Sequence, residues 1–177
     1  MIRQSNNIVK GGRILARNDQ RAEVIMDFPI GTLLRFLSIW VAEEEERRMV
    51  AAGYGNIHTA HFPVLKTLYT SSEGVRITDL AAWARITKPS MVYLVNYLVE
   101  RGYVERGPNS RDKRAQMVQL TPRGREAAGI LRALNLDIEQ RWQQQFGSQA
   151  VSQWKDLLQS LVLFNANEEW TPRKVEE

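Results

Sequence analysis

Two histidines, His58 and His61, stand three residues apart, and a run of four glutamates, Glu43–Glu46, precedes them. Imidazoles and carboxylates at short range are the ligands of a metal-dependent hydrolase, and His58 with His61 are the residues such a reaction would use. The spacing supplies no third converging ligand, because consecutive helical residues point around the axis rather than at one centre. The glutamates instead precede Arg47 and Arg48, which gives Glu43–Arg47 and Glu44–Arg48 pairs in i,i+4 order on a solvated helix end. Helix capping is the competing role for the histidines. No paired carboxylates, nucleophile–base set or glycine-rich phosphate loop occurs at a working spacing. The 177 residues include no Cys, which excludes disulfides, Cys-ligated metals and thiol nucleophiles. The expectation is a protein that is not an enzyme, with no catalytic residue, no metal site and no cofactor.

A second set of residues suits nucleic acid. Thr87-Lys-Pro-Ser90 reads as a helix start, and Gly107-Pro-Asn-Ser-Arg-Asp-Lys-Arg114 as a basic turn. The net charge is only +4, but residues 53–120 carry nine basic against five acidic groups, so that segment holds the whole excess. Residues 28–52 and 121–177 are each at −1. A basic centre between near-neutral flanks favours a polyanionic partner.

The elements that would position these residues follow from apolar spacing. Residues 1–27 are polar and read as an arm. A helix over 28–52 carries the stripe Ile30, Leu33, Leu34, Leu37, Trp40 and Val41, and Gly53-Tyr-Gly55 ends it. A second helix runs from Thr59 to about Thr70. Thr78 is expected to cap a short third helix that buries Leu80, Ala81 and Ala84. Thr87 caps a fourth, with Pro89 in its first turn, burying Met91, Leu94, Val95 and Leu98. Its other face offers Lys88, Ser90, Val92, Tyr93, Asn96 and Tyr97. Tyr103–Arg106 and Met117–Leu120 read as two strands flanking the basic turn. Thr121-Pro122 opens a long helix with the stripe Ala127, Leu131, Leu134, Ile138 and Trp142. After Gly147-Ser148 a last helix carries Val151, Trp154, Leu158 and Leu161, and residues 166–177 form a polar tail. The fold class is mainly α with a minor β part: a winged helix-turn-helix with long N- and C-terminal helices.

In that order, Ile77-Thr-Asp-Leu-Ala81, Thr87-Lys-Pro-Ser-Met91, Leu98-Val-Glu-Arg-Gly-Tyr-Val-Glu-Arg106, Asn109-Ser-Arg-Asp-Lys-Arg114 and Leu120-Thr-Pro-Arg-Gly-Arg125 resemble the MarR family of bacterial transcription regulators. The resemblance covers residues 28–165, with a DNA-binding core at 57–121 and dimerisation helices at 28–52 and 122–165. It implies a homodimeric, sequence-specific DNA-binding repressor that reads a pseudo-palindromic operator and is released by a small ligand, such as an aromatic one. The implied DNA-binding residues are Thr78, Thr87, Lys88, Pro89, Ser90, Val92 and Tyr93 on the helices, with Arg111, Lys113 and Arg114 on the wing. The implied ligand-binding residues are Trp40, His61, Phe62 and Leu65. Two departures stand out: Asn109 replaces a common Asp, and Tyr93 and Tyr97 stand where Arg is frequent. A winged helix used only for protein–protein assembly is the competing reading, because fold does not fix function. With no run near the ~20 apolar residues of a membrane span and no leader-like N-terminus, a cytoplasmic protein without membrane contact is expected.

Overall fold

The computed structural model describes residues 27–108 and 116–166. The elements in order are α1 (Ile30–Ala51), a 3₁₀ turn (Thr59–His61), α2 (Phe62–Tyr69), β1 (Val75–Arg76), α3 (Ile77–Ala84), α4 (Lys88–Glu100), β2 (Val104–Pro108), β3 (Gln116–Leu120), α5 (Pro122–Phe146) and α6 (Ser148–Ala166). The chain divides into two compact units. Among the described residues, those from 27 to Val41 and Leu136–Ala166 form one, and those between Ala42 and Asn135 form the other.

The second unit holds the winged helix. Its core is built from the inward faces of short elements: Ile57, Leu65 and Leu68, then Leu80, then Met91, Val95 and Leu98, all 1% exposed or less. Tyr103 and Val118 bring the sheet onto this core, and Ala127 and Leu131 close it from α5. The sheet is antiparallel with order β1-β3-β2 and a register running from Val104 opposite Leu120 to Pro108 opposite Gln116. The third strand was not visible in the sequence. Val75 pairs with Val118 and Arg76 with Met117, but two residues have no period to read.

Thr78 is not a cap: Arg76 occupies that position in extended conformation, and Thr78 lies inside α3 with its hydroxyl donating to the Asp79 carboxylate at 3.3 Å. Pairing of β1 with β3 fixes the entry to α3 two residues earlier than side-chain capping alone suggests. Leu94 is half-buried rather than buried. The glutamate run is not uniformly solvated. Glu44 takes both arginines, Arg47 at 2.6 Å and Arg48 at 2.6 Å, so Arg47 pairs at i,i+3 with Glu44 and not with Glu43. Glu45 is buried at 2% exposure, with its carboxylate accepting from Lys66 and from Asn135 on α5. It lies four residues from both Val41 and Met49, on the apolar spacing itself, which is the signal that places it inward.

The first unit is built differently. Trp142 of α5 packs on Trp40 at 6.3 Å between ring centroids and on Trp154 of α6 at 5.5 Å. Lys155 bridges α6 to Glu139 of α5 at 3.0 Å. Gly147 turns the chain between α5 and α6 at φ 89°, a conformation that glycine adopts without a Cβ penalty. The apolar stripe of α1 is largely uncovered: Ile30, Leu33, Leu34, Phe36 and Trp40 are all exposed, as are Leu157 and Leu161–Phe164 of α6.

Candidate nucleic-acid interface

The site begins with the turn between α3 and α4. Arg85 ends α3 in the left-handed conformation at φ 51°, and the Ile86 amide closes back on the Ala81 carbonyl at 3.1 Å. That tight closure leaves Thr87 extended, and its hydroxyl accepts the Ser90 amide at 3.3 Å and meets the Ser90 hydroxyl at 2.8 Å. Thr87 is therefore the N-cap expected from the sequence, with Pro89 in the first turn. The apolar face Met91, Val95, Leu98 fixes which side of α4 turns outward. Lys88, Pro89 and Ser90 are exposed, Val92 is half-buried, and Tyr93 is 72% exposed. Thr78 is also exposed, on α3. The first turn of α4 thus sets a cation beside hydroxyls, donors that suit an anionic ligand, while the Ser90 and Met91 amides are taken by Thr87.

Tyr97 is turned away from this set. Its hydroxyl donates to the Asn56 carbonyl at 2.7 Å, its ring stacks on His61 at 4.3 Å, and the Arg101 guanidinium lies 3.4 Å from the ring centroid. Asn96 stays outward and accepts a hydrogen bond from Arg106 of β2 at 2.5 Å. This link between α4 and the wing strand joins residues ten apart, and nothing in their spacing announces it. Arg111, Lys113 and Arg114 lie outside the described residues.

The histidines make a reciprocal cap rather than a ligand pair. The His58 amide donates to His61 Nδ1 at 3.1 Å, and His58 Nδ1 lies 3.3 Å from Glu46. Among the described residues no three His, Asp or Glu side chains converge as metal ligands. Burial holds the His61 imidazole below its ordinary pKa; a backbone hydrogen bond with His58 opposes the shift, and the charges of His58 and Arg101 add to it. Of the four residues named as ligand-binding, His61, Phe62 and Leu65 are buried together in the second unit. Trp40 belongs to the first unit, against Trp142. The first unit also holds an apolar cleft of about 400 Å³ lined by Leu37, Trp142, Phe146, Ala150, Val151 and Trp154, which the sequence reading did not single out. Its aromatic spacing, Trp142 to Phe146 along one helix, was the available signal.

Residues 56–115 match the MarR family. Among curated proteins no sequence matches. In structure the chain is similar to CouR of Rhodococcus jostii RHA1, solved with p-coumaroyl-CoA bound. Identity is 26% across 81% of this chain and 95% of that one, with TM-score 0.65. It is also similar to a MarR-family transcriptional regulator from Rhodococcus sp. RHA1, at 23% identity over 86% of this chain and 99% of that one, TM-score 0.62. The S. aureus MepR–DNA complex shares the fold at 19% identity, over 78% and 99%, TM-score 0.64.

Proposed function

We propose, from the premise that the chain is a MarR-family winged-helix protein, that it is a sequence-specific DNA-binding transcription regulator acting as a homodimer. The observation that carries this reading is the outward face of the first two turns of α4, where a capped helix start exposes Lys88, Pro89, Ser90 and Tyr93 together. A helix so presented enters a major groove with its N-terminal residues at the base edges. Thr78, Thr87 and Val92 complete the helical contact set, and Arg111, Lys113 and Arg114 serve the wing, on phosphates or in a minor groove.

A homodimer follows from the uncovered apolar faces of α1 and α6, which exceed what scattered surface residues account for. Two-fold symmetry then sets two recognition helices about 34 Å apart on a pseudo-palindromic operator. The regulator is a cytoplasmic repressor released by a small aromatic ligand. CouR, at 26% identity, binds an aromatic acyl-CoA, which is the support for that ligand class. His61, Phe62 and Leu65 in the second unit and, separately, Trp40 in the first are the residues assigned to the response. No helix among the described residues is long and apolar enough to cross a membrane.

The test is binding of the purified protein to duplex DNA from upstream of its own gene, across a salt series, with and without aromatic acids and their CoA thioesters. The expected result is a protected palindrome, affinity falling steeply with salt, and release by one of the ligands. Arg114→Ala is expected to weaken binding by on the order of 1–3 kcal/mol with the oligomer intact. Salt-insensitive binding, or none, would overturn the reading.

A further inference from the structure

The link between Asn96 and Arg106 has a chemistry of its own. Arg106 sits on the wing strand β2 and Asn96 on the third turn of α4, and both side chains are exposed. Successive strand residues alternate faces, so Arg106 shares a face with buried Val104 and projects beyond it toward α4. There Arg106 Nη2 donates to Asn96 Oδ1 at 2.5 Å. Among the described residues no carboxylate pairs with the guanidinium.

The consequence lies in what this bond leaves over. An Asn side chain offers one acceptor and one donor group, and a guanidinium offers five N–H donors and no acceptor. With Asn96 Oδ1 occupied, the outward surface of the pair presents the Asn96 amide N–H groups, the remaining Arg106 N–H groups and a full positive charge. An Asn that reads adenine turns its oxygen and its nitrogen together onto the base edge, whereas this Asn turns its oxygen toward Arg106. An exposed, cationic cluster in which donors predominate is matched instead by an anion with several acceptor oxygens. Asn96 is three residues beyond Tyr93 and on the same side of α4. It is also two turns beyond the helix start, past the residues that reach base edges in such helices.

We propose that Asn96 and Arg106 form a phosphate seat at the seam between α4 and the wing. Arg106 contacts a DNA backbone phosphate, and Asn96 orients the guanidinium while adding an amide donor. The seat registers the helix against the duplex and carries no base preference. This inference rests on the DNA-binding reading.

The experiment measures affinity by fluorescence anisotropy across a salt series, on the upstream operator and on an unrelated duplex, for wild type, Arg106→Gln, Asn96→Asp and Arg114→Ala. Asn96→Asp keeps the shape and the link but sets a carboxylate against the guanidinium, which cancels the charge of the seat. The expected result is a roughly tenfold loss on both duplexes for Arg106→Gln and for Asn96→Asp. The slope of log affinity against log salt becomes shallower by about 0.9 for each seat in the complex. Circular dichroism confirms the fold of each variant, and Asn96→Asp decides the matter should Arg106→Gln lose structure. An unchanged salt slope, or a loss confined to one base pair of the operator, overturns the seat. If wild type binds and Arg114→Ala weakens it while the seat variants do not, the seat alone fails. If wild type shows no salt-dependent binding, the underlying reading fails with it.

Discussion

Single side chains in the second unit are set by what surrounds them more than by their type. His61 is 4% exposed, stacked on Tyr97 and capped at Nδ1 by the His58 amide. Its imidazolium is disfavoured chiefly by burial, so the folded state releases a proton that the unfolded state retains. Stability therefore rises with pH through the window below the ordinary histidine value, and is lost as pH falls from about 6.5 through the lowered folded pKa. A thermal melt series from pH 7.5 to pH 5 is expected to show a falling midpoint, and His61→Gln to flatten it. An equal fall in wild type and variant would contradict this role. Glu44 does not confuse the reading, because the Arg47 hydrogen bond, partly opposed by burial and aided by Arg48, holds it at about 2. Its contribution is present above the ordinary carboxylate range and is lost only as pH falls toward that value. The cap made by Thr87 was legible from sequence because caps are local. The Asn96–Arg106 bond and the Glu45–Lys66–Asn135 cluster were not, since they join residues that only the fold brings together.

Elements were legible in proportion to how much of their environment lies within the chain. α4 and the start of α5 carry their own punctuation, Thr87 with Pro89 and Thr121 with Pro122, and the structure starts both helices there. The two strands of the wing extend past their expected ends, to Pro108 and from Gln116, because pairing continues where side-chain alternation has already faded. At the start of α5 the Thr121 hydroxyl accepts the Gly124 amide at 3.0 Å and donates to the Gly102 carbonyl at 2.6 Å, which draws the helix end against the wing. A Cβ placed on Gly124 would stand 1.7 Å from the Tyr103 carbonyl oxygen, so no side chain fits there without moving backbone. Gly124→Ala is expected to destabilise the second unit by roughly 2–3 kcal/mol in urea denaturation, despite alanine's better helix propensity. A neutral or stabilising effect would refute the close approach. The stripe of α1 was legible as apolar, and its Leu33, Leu34 and Trp40 are exposed in the single chain.

At the scale of the whole molecule, that uncovered surface carries its own prediction. If a second copy covers the faces of α1 and α6, folding and association are linked, and the melting midpoint must rise with protein concentration. The expected observation is a rising midpoint over the micromolar range with a dimer mass in light scattering; a monomer with a concentration-independent midpoint would sink the dimer. The winged-helix unit has a complete core of its own, from Met49 to Leu131. Within it, α4 spends Met91, Val95 and Leu98 on that core and leaves Pro89, Tyr93 and Asn96 outside it. Foldability and recognition are thereby written on opposite sides of one helix. The outward side is open to randomisation: a library at Lys88 and Tyr93 can search for new operators while selection for a folded protein leaves those positions almost unconstrained.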